Sequence, residues 1–463
     1  MIHLAQKIPA LRAGPLCAVL AMSFAAATLA QEVHFITLDP GHFHAGLVQK
    51  FMYPQVDAVV RVYAPPGPDL QDHLRRIEGY NDRAVSPTHW KEIVYSGPDF
   101  FQQMLRQKSG NVVIIAGNNR RKTEYIDQSV KAGFNILADK PMAITPDDFT
   151  LLREDLSLAQ QKKLLLCDIM TERYEITTIL QRELARSPEV FGALTPGDPS
   201  HPSVVMESVH HFFKEVSGAP LIRPAWFFDV RQEGEAIPDV GTHLVDLVQW
   251  ECFPDKALDW NKDIHTHSAR RWPAQLTPQQ FQRVTGLARY PDYLKADIAP
   301  DGRLNVYQNG TVNYNICGVE AKVTALWRFE APPGGGDTHY SQLIGTRAIL
   351  TIKQGEAEHY RPALYVEKNS GMNTDPQFES TLRAVIARLC GTWPGLEVKG
   401  SGGGYEIVVP DKYRVGHEAH FAQATEEYLR FLAKGKTPAW VVPNLLAKYY
   451  TTTEAWRLSH AIK

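Results

Sequence analysis

Asn111-Val112-Val113-Ile114-Ile115-Ala116-Gly117-Asn118-Asn119 and, after a polar helical stretch, Phe134-Asn135-Ile136-Leu137-Ala138-Asp139-Lys140-Pro141 decide the fold. Each begins as a short apolar run without polar alternation, the pattern of a strand buried on both faces. Residues 122–132 between them have helical spacing, so the unit reads as strand, helix, strand in a parallel sheet. Upstream, 33–38 reads as a strand ending in Asp39-Pro40-Gly41, with a helix over 45–51, and 56–62 as a second strand closed by Pro65-Pro66-Gly67. Downstream come a helix over 146–160 and a strand over 163–167. Such alternation predicts a doubly wound α/β domain, which binds ligands beyond the carboxyl ends of its strands.

Past Arg173 the pattern changes. A helix over 175–185 leads into runs at 203–213, 225–230, 320–330 and 341–352, with a helix inserted at 242–252. Few helices separate these runs, so a mainly antiparallel sheet is expected. Residues 332–336 and 400–404 read as loops within this half. Two amphipathic helices, 418–433 and 442–460, close the chain around a turn at 435–438. No internal repeat is visible. The expected architecture is an α/β Rossmann domain over 31–172, then an α+β domain over 173–463 with a large, mainly antiparallel open sheet.

Composition supports two or three globular domains. The 463 residues are 44% hydrophobic and 22% charged, with 32 Gly, 31 Pro and a formal net charge of -2, which excludes disordered and collagen-like chains. Near-neutral charge offers no footprint for nucleic acid or an anionic membrane. Residues 1–30 read as a secretory signal peptide: Lys7 and Arg12 lead, 16–30 is apolar, and Thr28-Leu29-Ala30 puts small residues at -3 and -1. The apolar stretch is shorter than the ~20 residues of a spanning helix, so a retained anchor ranks second. A periplasmic or otherwise exported chain is expected. Cys167, Cys252, Cys317 and Cys390 would remain, scattered and without a CxxC pair, as inert thiols in apolar runs.

Three stretches carry chemistry, and each has a plain structural reading beside it. The turn Asp39-Pro40-Gly41-His42-Phe43-His44 follows the first strand, where a dinucleotide fold presents backbone N–H groups to a pyrophosphate. Equally, Asp39 would cap a helix with Pro40 at its first position. Asp139-Lys140-Pro141 ends a strand, where a lysine can orient a hydroxyl or polarise a carbonyl; such triplets are also common surface turns. In Asp239-Val240-Gly241-Thr242-His243-Leu244-Val245-Asp246, carboxylates flank an imidazole able to act as general base, with Asp246 sharing its helix face. The plain alternative is a helix capped by Asp239 around a core histidine.

Taken in this order, with Arg173, 179–181, Val190-Phe191-Gly192, 344–350 and the turn 435–438, these stretches resemble the family of glucose-fructose oxidoreductase and inositol dehydrogenase (Gfo/Idh/MocA) along nearly the whole mature chain. The resemblance implies an NAD- or NADP-binding Rossmann domain and a second domain that carries substrate groups and often an oligomer interface. It implies Lys140, Asp239 and His243 as catalytic, with His243 the general base. Gly41, His42, Phe43, Asn118, Asp139, Lys140 and Arg173 would meet the cofactor, and His210, His211, Asp239 and His243 the substrate. Two departures stand out. Only Gly41 keeps its place in the glycine turn, and Arg61-Val62-Tyr63-Ala64-Pro65 puts no acid at the end of the second strand, leaving NAD and NADP both open.

No metal site is expected. His42-x-His44 and His265-x-His267 have suitable spacing, but no third ligand is placed by the sequence. Trp226, Phe227 and Phe228 suit either sugar stacking or core positions of a strand. The expected activity is oxidation or reduction of a sugar, glycoside or polyol hydroxyl with a retained cofactor. Alternatives are NAD-assisted glycoside cleavage through a transient 3-keto sugar, and a non-catalytic carbohydrate-binding protein on the same fold.

Overall fold

The computed structural model describes residues 33–216, 219–369 and 375–461; the segment 1–30, read above as a signal peptide, lies outside the described residues. The first half runs β1 (Phe35–Leu38), α1 (His44–Val48), β2 (Val59–Ala64), α2 (Pro68–Asp82), β3 (Lys91–Ser96), α3 (Phe100–Gln107), β4 (Val112–Ile115), α4 (Asn119–Ala132), β5 (Asn135–Asp139), α5 (Pro146–Lys162) and β6 (Leu166–Ile169). All six strands are parallel, in the order β3-β2-β1-β4-β5-β6. Every residue of β1 and β4 is buried, which explains their unbroken apolar runs. The order reverses between β1 and β4, and the crevice above that reversal is where such a sheet accepts a ligand.

The stretch from α2 to α3 has no counterpart in the sequence reading. β3 is the edge strand and most of its side chains, including Ile93 and Val94, are exposed, so it lacks the buried signature of its neighbours.

The second half runs α6 (Ile176–Ala185), β7 (Val204–Phe213), β8 (Glu215–Val216), β9 (Ala219–Pro220), α7 (Val230–Glu233), α8 (Val240–Cys252), β10 (Ile264–Leu276), α9 (Pro278–Thr285), β11 (Leu304–Ile316), β12 (Val319–Glu330), β13 (Thr338–Ile344), β14 (Ala348–Lys353), β15 (Ala363–Lys368), α10 (Phe378–Leu389), β16 (Glu397–Ser401), β17 (Gly404–Val408), α11 (His417–Lys434) and α12 (Val441–Ala461). Nine of its strands form one sheet, β10-β11-β12-β7-β13-β14-β15-β17-β16, antiparallel except where β12 meets β7. The expected fold class is therefore met. α11 and α12 return to the first domain: Phe421 and Tyr428 join one face of the parallel sheet, Leu445 and Tyr449 the other.

Two local readings need correction. Residues 225–230 are no strand: Ala225–Phe228 is a 3-10 turn after Pro224, because Phe227 and Phe228 are both buried among Phe212, Phe281 and Trp327, and alternation would expose one of them. The run 341–352 is split between β13 and β14 by Gly345-Thr346-Arg347, where a Cβ on Gly345 would lie 2.3 Å from the Phe191 carbonyl oxygen. The pair His265 and His267, which the sequence left without an element, lies on β10, and His267 Nε2 bonds Glu320. The four cysteines are free thiols, with Cys167 buried and the others half-buried. Among the described residues, no helix is long and apolar enough to cross a membrane.

Candidate active site

At the sheet reversal the turn after β1 packs directly on the turn after β4. Gly117 has φ +111°, and a Cβ there would lie 2.6 Å from the backbone nitrogens of both Gly41 and His42. Only a glycine permits that conformation and that approach. Asp39 does not cap α1, whose N-cap is Phe43 with no side-chain bond. It takes a left-handed conformation (φ 46°) and its carboxylate accepts from Tyr125 Oη and Asn118 Nδ2, both at 2.7 Å. The acid is thereby turned into the fold, off the backbone N–H groups of the turn. Asn118 receives a further bond, from Gln232 Nε2 at 2.5 Å, so it ties the loop to the second domain.

Lys140, Asp239 and His243 come from the end of β5 and the start of α8. The Lys140 ammonium is ion-paired with Asp239, both largely buried. Asp239 is the N-cap residue of α8 but makes no side-chain cap bond, its carboxylate going to Lys140 instead. Lys122, fully buried on α4, donates to the carbonyls of Asp139 (2.8 Å) and Lys140 (3.3 Å) and holds the strand end in place. His243 is half-buried, and its Nδ1 is buried without a hydrogen-bond partner. Burial, then the positive charge of Lys140, holds its pKa well below the ordinary histidine value, so the ring is a free base at neutral pH. Asp139 accepts from His44 Nδ1 at 2.9 Å, with His42 Nδ1 at 3.7 Å.

Two expected roles change. Asp246 does not orient His243. Its carboxylate is gripped by Arg173 through Nε and Nη2, both at 2.6 Å, and by Lys448 Nζ at 2.8 Å. Arg173 is accordingly committed to Asp246, and the cofactor contact expected of it is replaced by this buried pair. At the end of β7, His210 and Lys214 converge on the Asp337 carboxylate with His211. His210 adds its charge against protonation of His243, whereas His211 is buried behind it.

A cleft of about 740 Å³ opens between the domains, lined by Gly41, His42 and Phe43 on one side and Arg223, Trp226 and Phe227 on the other. Trp226 is not core. Its ring lies over Gly41, and its Nε1 donates to Asp69 Oδ2 at 2.9 Å. Asp69, at the start of α2, is an acid at the mouth of the second strand after all, delayed by the Pro65–Pro68 turn that the sequence reading stopped at. Burial pushes its pKa up to about 6. His73, also lining the cleft, is buried with neither ring nitrogen hydrogen-bonded, Nε2 standing 4.0 Å from a Glu92 carboxylate oxygen.

A model of the family described as "Putative oxidoreductase C terminal domain" matches residues 180–460, more than half of the chain. The chain belongs to this oxidoreductase family. No curated protein matches it. Among solved structures, a "putative oxidoreductase" from Parabacteroides merdae ATCC 43184 is 52% identical over 94% of this chain and 99% of that one, with a TM-score of 0.91. Levoglucosan dehydrogenase in complex with NADH and levoglucosan is 14% identical (92% and 98% covered, TM-score 0.56). A 3-ketoreductase from Actinomadura kijaniata in complex with NADP is 12% identical (92% and 97% covered, TM-score 0.54). These two share the fold.

Within this oxidoreductase family's matched region lie Asp239, His243, His210 and Asp337; Lys140 and the turn at Gly41 precede it. The sequence reading missed Lys122, Asp69, Asp337 and Glu233. Glu233 is buried against Asn119 Nδ2 (3.1 Å), and burial, then Asp239, raises its pKa well above the ordinary value. Asp69 alone had a legible signal, as the first acid beyond the second strand. The others lie in segments whose partners are distant in sequence.

Proposed function

We propose that the chain is an NAD(P)-dependent oxidoreductase acting on a sugar, glycoside or polyol hydroxyl. The observation that carries this reading is the convergence of Lys140, Asp239 and His243 beside a turn that only glycines can build. The residues fit a dinucleotide: with no Cβ at Gly41 a pyrophosphate has room beside the turn, whose Gly41 and His42 N–H groups are themselves held by the carbonyls of Asp39 and Ala116, and Asp69 would meet the adenosine ribose. A nicotinamide bound there supplies the hydride acceptor.

The chain's own groups then have separate tasks. Lys140 uses one of its three N–H donors on Asp239 and keeps two for the substrate oxygen. Its charge lowers the cost of an alkoxide in a site with little water. The neutral His243 imidazole takes the hydroxyl proton and returns it in the reverse direction. Asp239 holds the lysine charged. The signal-like segment 1–30 supports export, and a retained cofactor suits that compartment.

Asp69 favours NAD. An ionised carboxylate accepts from ribose hydroxyls and repels a 2'-phosphate, while Arg75 and Arg76 are both turned to Asp72. Asp69→Ala is expected to weaken NAD roughly tenfold or more, since charged hydrogen bonds contribute about 1.5–3 kcal/mol, and to narrow the preference over NADP. Unchanged dissociation constants in fluorescence titration would remove Asp69 from the cofactor site. The test of the whole reading is to denature the purified chain and look for released dinucleotide by mass spectrometry. NAD(H) or NADP(H) at near one per chain is expected; none released, together with none bound on titration, refutes it.

A further inference from the structure

Among the described residues, one set of three histidine, cysteine or acidic side chains has its ligating atoms within 4.8 Å of one another: His42, His44 and Asp139. The two histidines flank Phe43 in the turn after β1. The carboxylate stands at the end of β5, two strands across the sheet. Folding thus delivers the third ligand that spacing alone does not. We infer that His42, His44 and Asp139 form a binding site for one first-row divalent transition-metal ion.

The geometry suits a metal. A tetrahedral ion with ligand bonds of 2.0–2.2 Å sets its donors ~3.4 Å apart. Asp139 Oδ2 lies 2.9 Å from His44 Nδ1 and 3.7 Å from His42 Nδ1, on either side of that spacing. In the present arrangement a proton occupies the space between His44 Nδ1 and the carboxylate; a shift of His44 to its other tautomer frees Nδ1 as a donor without loss of charge. The carboxylate is also available. No lysine or arginine among the described residues is ion-paired with it, since Lys140 is taken by Asp239 and Lys122 bonds only backbone carbonyls there. Two imidazoles and one carboxylate select zinc, iron(II), cobalt or nickel over magnesium or calcium, which prefer oxygen.

The surroundings are those of a site with one open position. His44 is walled by His417 and Phe421, with ring centroids at 5.3 and 4.6 Å, so that side is closed. His42 lines the interdomain cleft, so the remaining coordination position faces it. Three protein ligands and an open position are the arrangement in which an ion polarises an oxygen of bound water or substrate.

This inference is independent of the dinucleotide, and so is its test. The full chain, freed of any affinity tag and stripped with chelator, is titrated with Zn²⁺ by calorimetry and with Co²⁺ by visible d–d absorption. One ion per chain is expected, and His42→Ala, whose side chain is only part-buried, is expected to weaken it at least tenfold. Asp139→Asn should do the same, while His267→Ala, at the other spaced histidine pair, should change nothing. Absence of saturable binding, or equal binding in wild type and both site variants with unaltered melting temperatures, overturns the site.

Discussion

Lys140→Ala and His243→Ala are each expected to lower kcat by ~10²–10⁴ with the fold intact, the range typical of a positioned acid or base. Both side chains end in the site rather than in the apolar core. His243 Nδ1 has no hydrogen-bond partner to lose, whereas removing Lys140 leaves the buried Asp239 carboxylate without its cation, so a lower melting temperature is expected of Lys140→Ala than of His243→Ala. The two variants should differ in their pH profiles. Burial and Lys140 hold His243 well below the ordinary value, so the acid limb of kcat/KM in the wild type is expected below pH 6.5. In Lys140→Ala one of the causes is gone, and that limb should move upward. Steady-state rates on a sugar or polyol substrate, with melting temperatures alongside, check both. Wild-type turnover in either variant would sink the assignment.

Asp246→Ala is the largest stability change expected, about 3–5 kcal/mol. Its carboxylate is 1% exposed and receives Arg173 and Lys448, and Lys448 continues to Asp168 at 2.7 Å, which Tyr449 Oη also reaches at 2.8 Å. Removing it strands the largely buried Arg173 and leaves Lys448 with Asp168 as its one remaining carboxylate. A domain is stable by about 5–15 kcal/mol, so this is a large share. The network joins β6 of the first domain to α8 and α12, so unfolding should report it across both halves. The pH dependence has a definite sign. Arg173 and Lys448 outweigh burial and hold Asp246 down at about 2, below the ~3.9 of an unfolded chain. Its contribution is therefore fully present above pH 4 and disappears as pH falls toward 2. Denaturant titrations should show a steep acid loss in the wild type and a flatter one in Asp246→Ala.

How much of this was legible depends on whether a signal is local. The buried strands of the first sheet could be read because burial on both faces removes every polar residue from the run, and a helix such as α4 because its spacing repeats. β3 could not, since an edge strand has no such constraint. The aromatic run 226–228 misled for a related reason. Consecutive aromatics look like sheet residues until one knows that two share a cluster while Trp226 turns to Asp69.

The site divides in the same way. Lys140, Asp239 and His243 were legible as short stretches with chemical character, but each had an equally sound structural reading. What chose between them was contact across distance: the Lys140–Asp239 pair spans 99 residues. The same test reversed the reading of Asp246, which shares a helix face with His243 yet bonds residues 73 positions before it and 202 after it. The sequence by itself determined the fold class and marked the turn at Gly41, Lys140, Asp239 and His243 as candidates, because backbone pattern and residue chemistry are local properties. Only the tertiary structure decided which carboxylate meets which cation, that an acid stands beside the turn, and that Asp139 joins His42 and His44. Those are outcomes of packing, where each buried charge takes whichever partner the fold brings within reach.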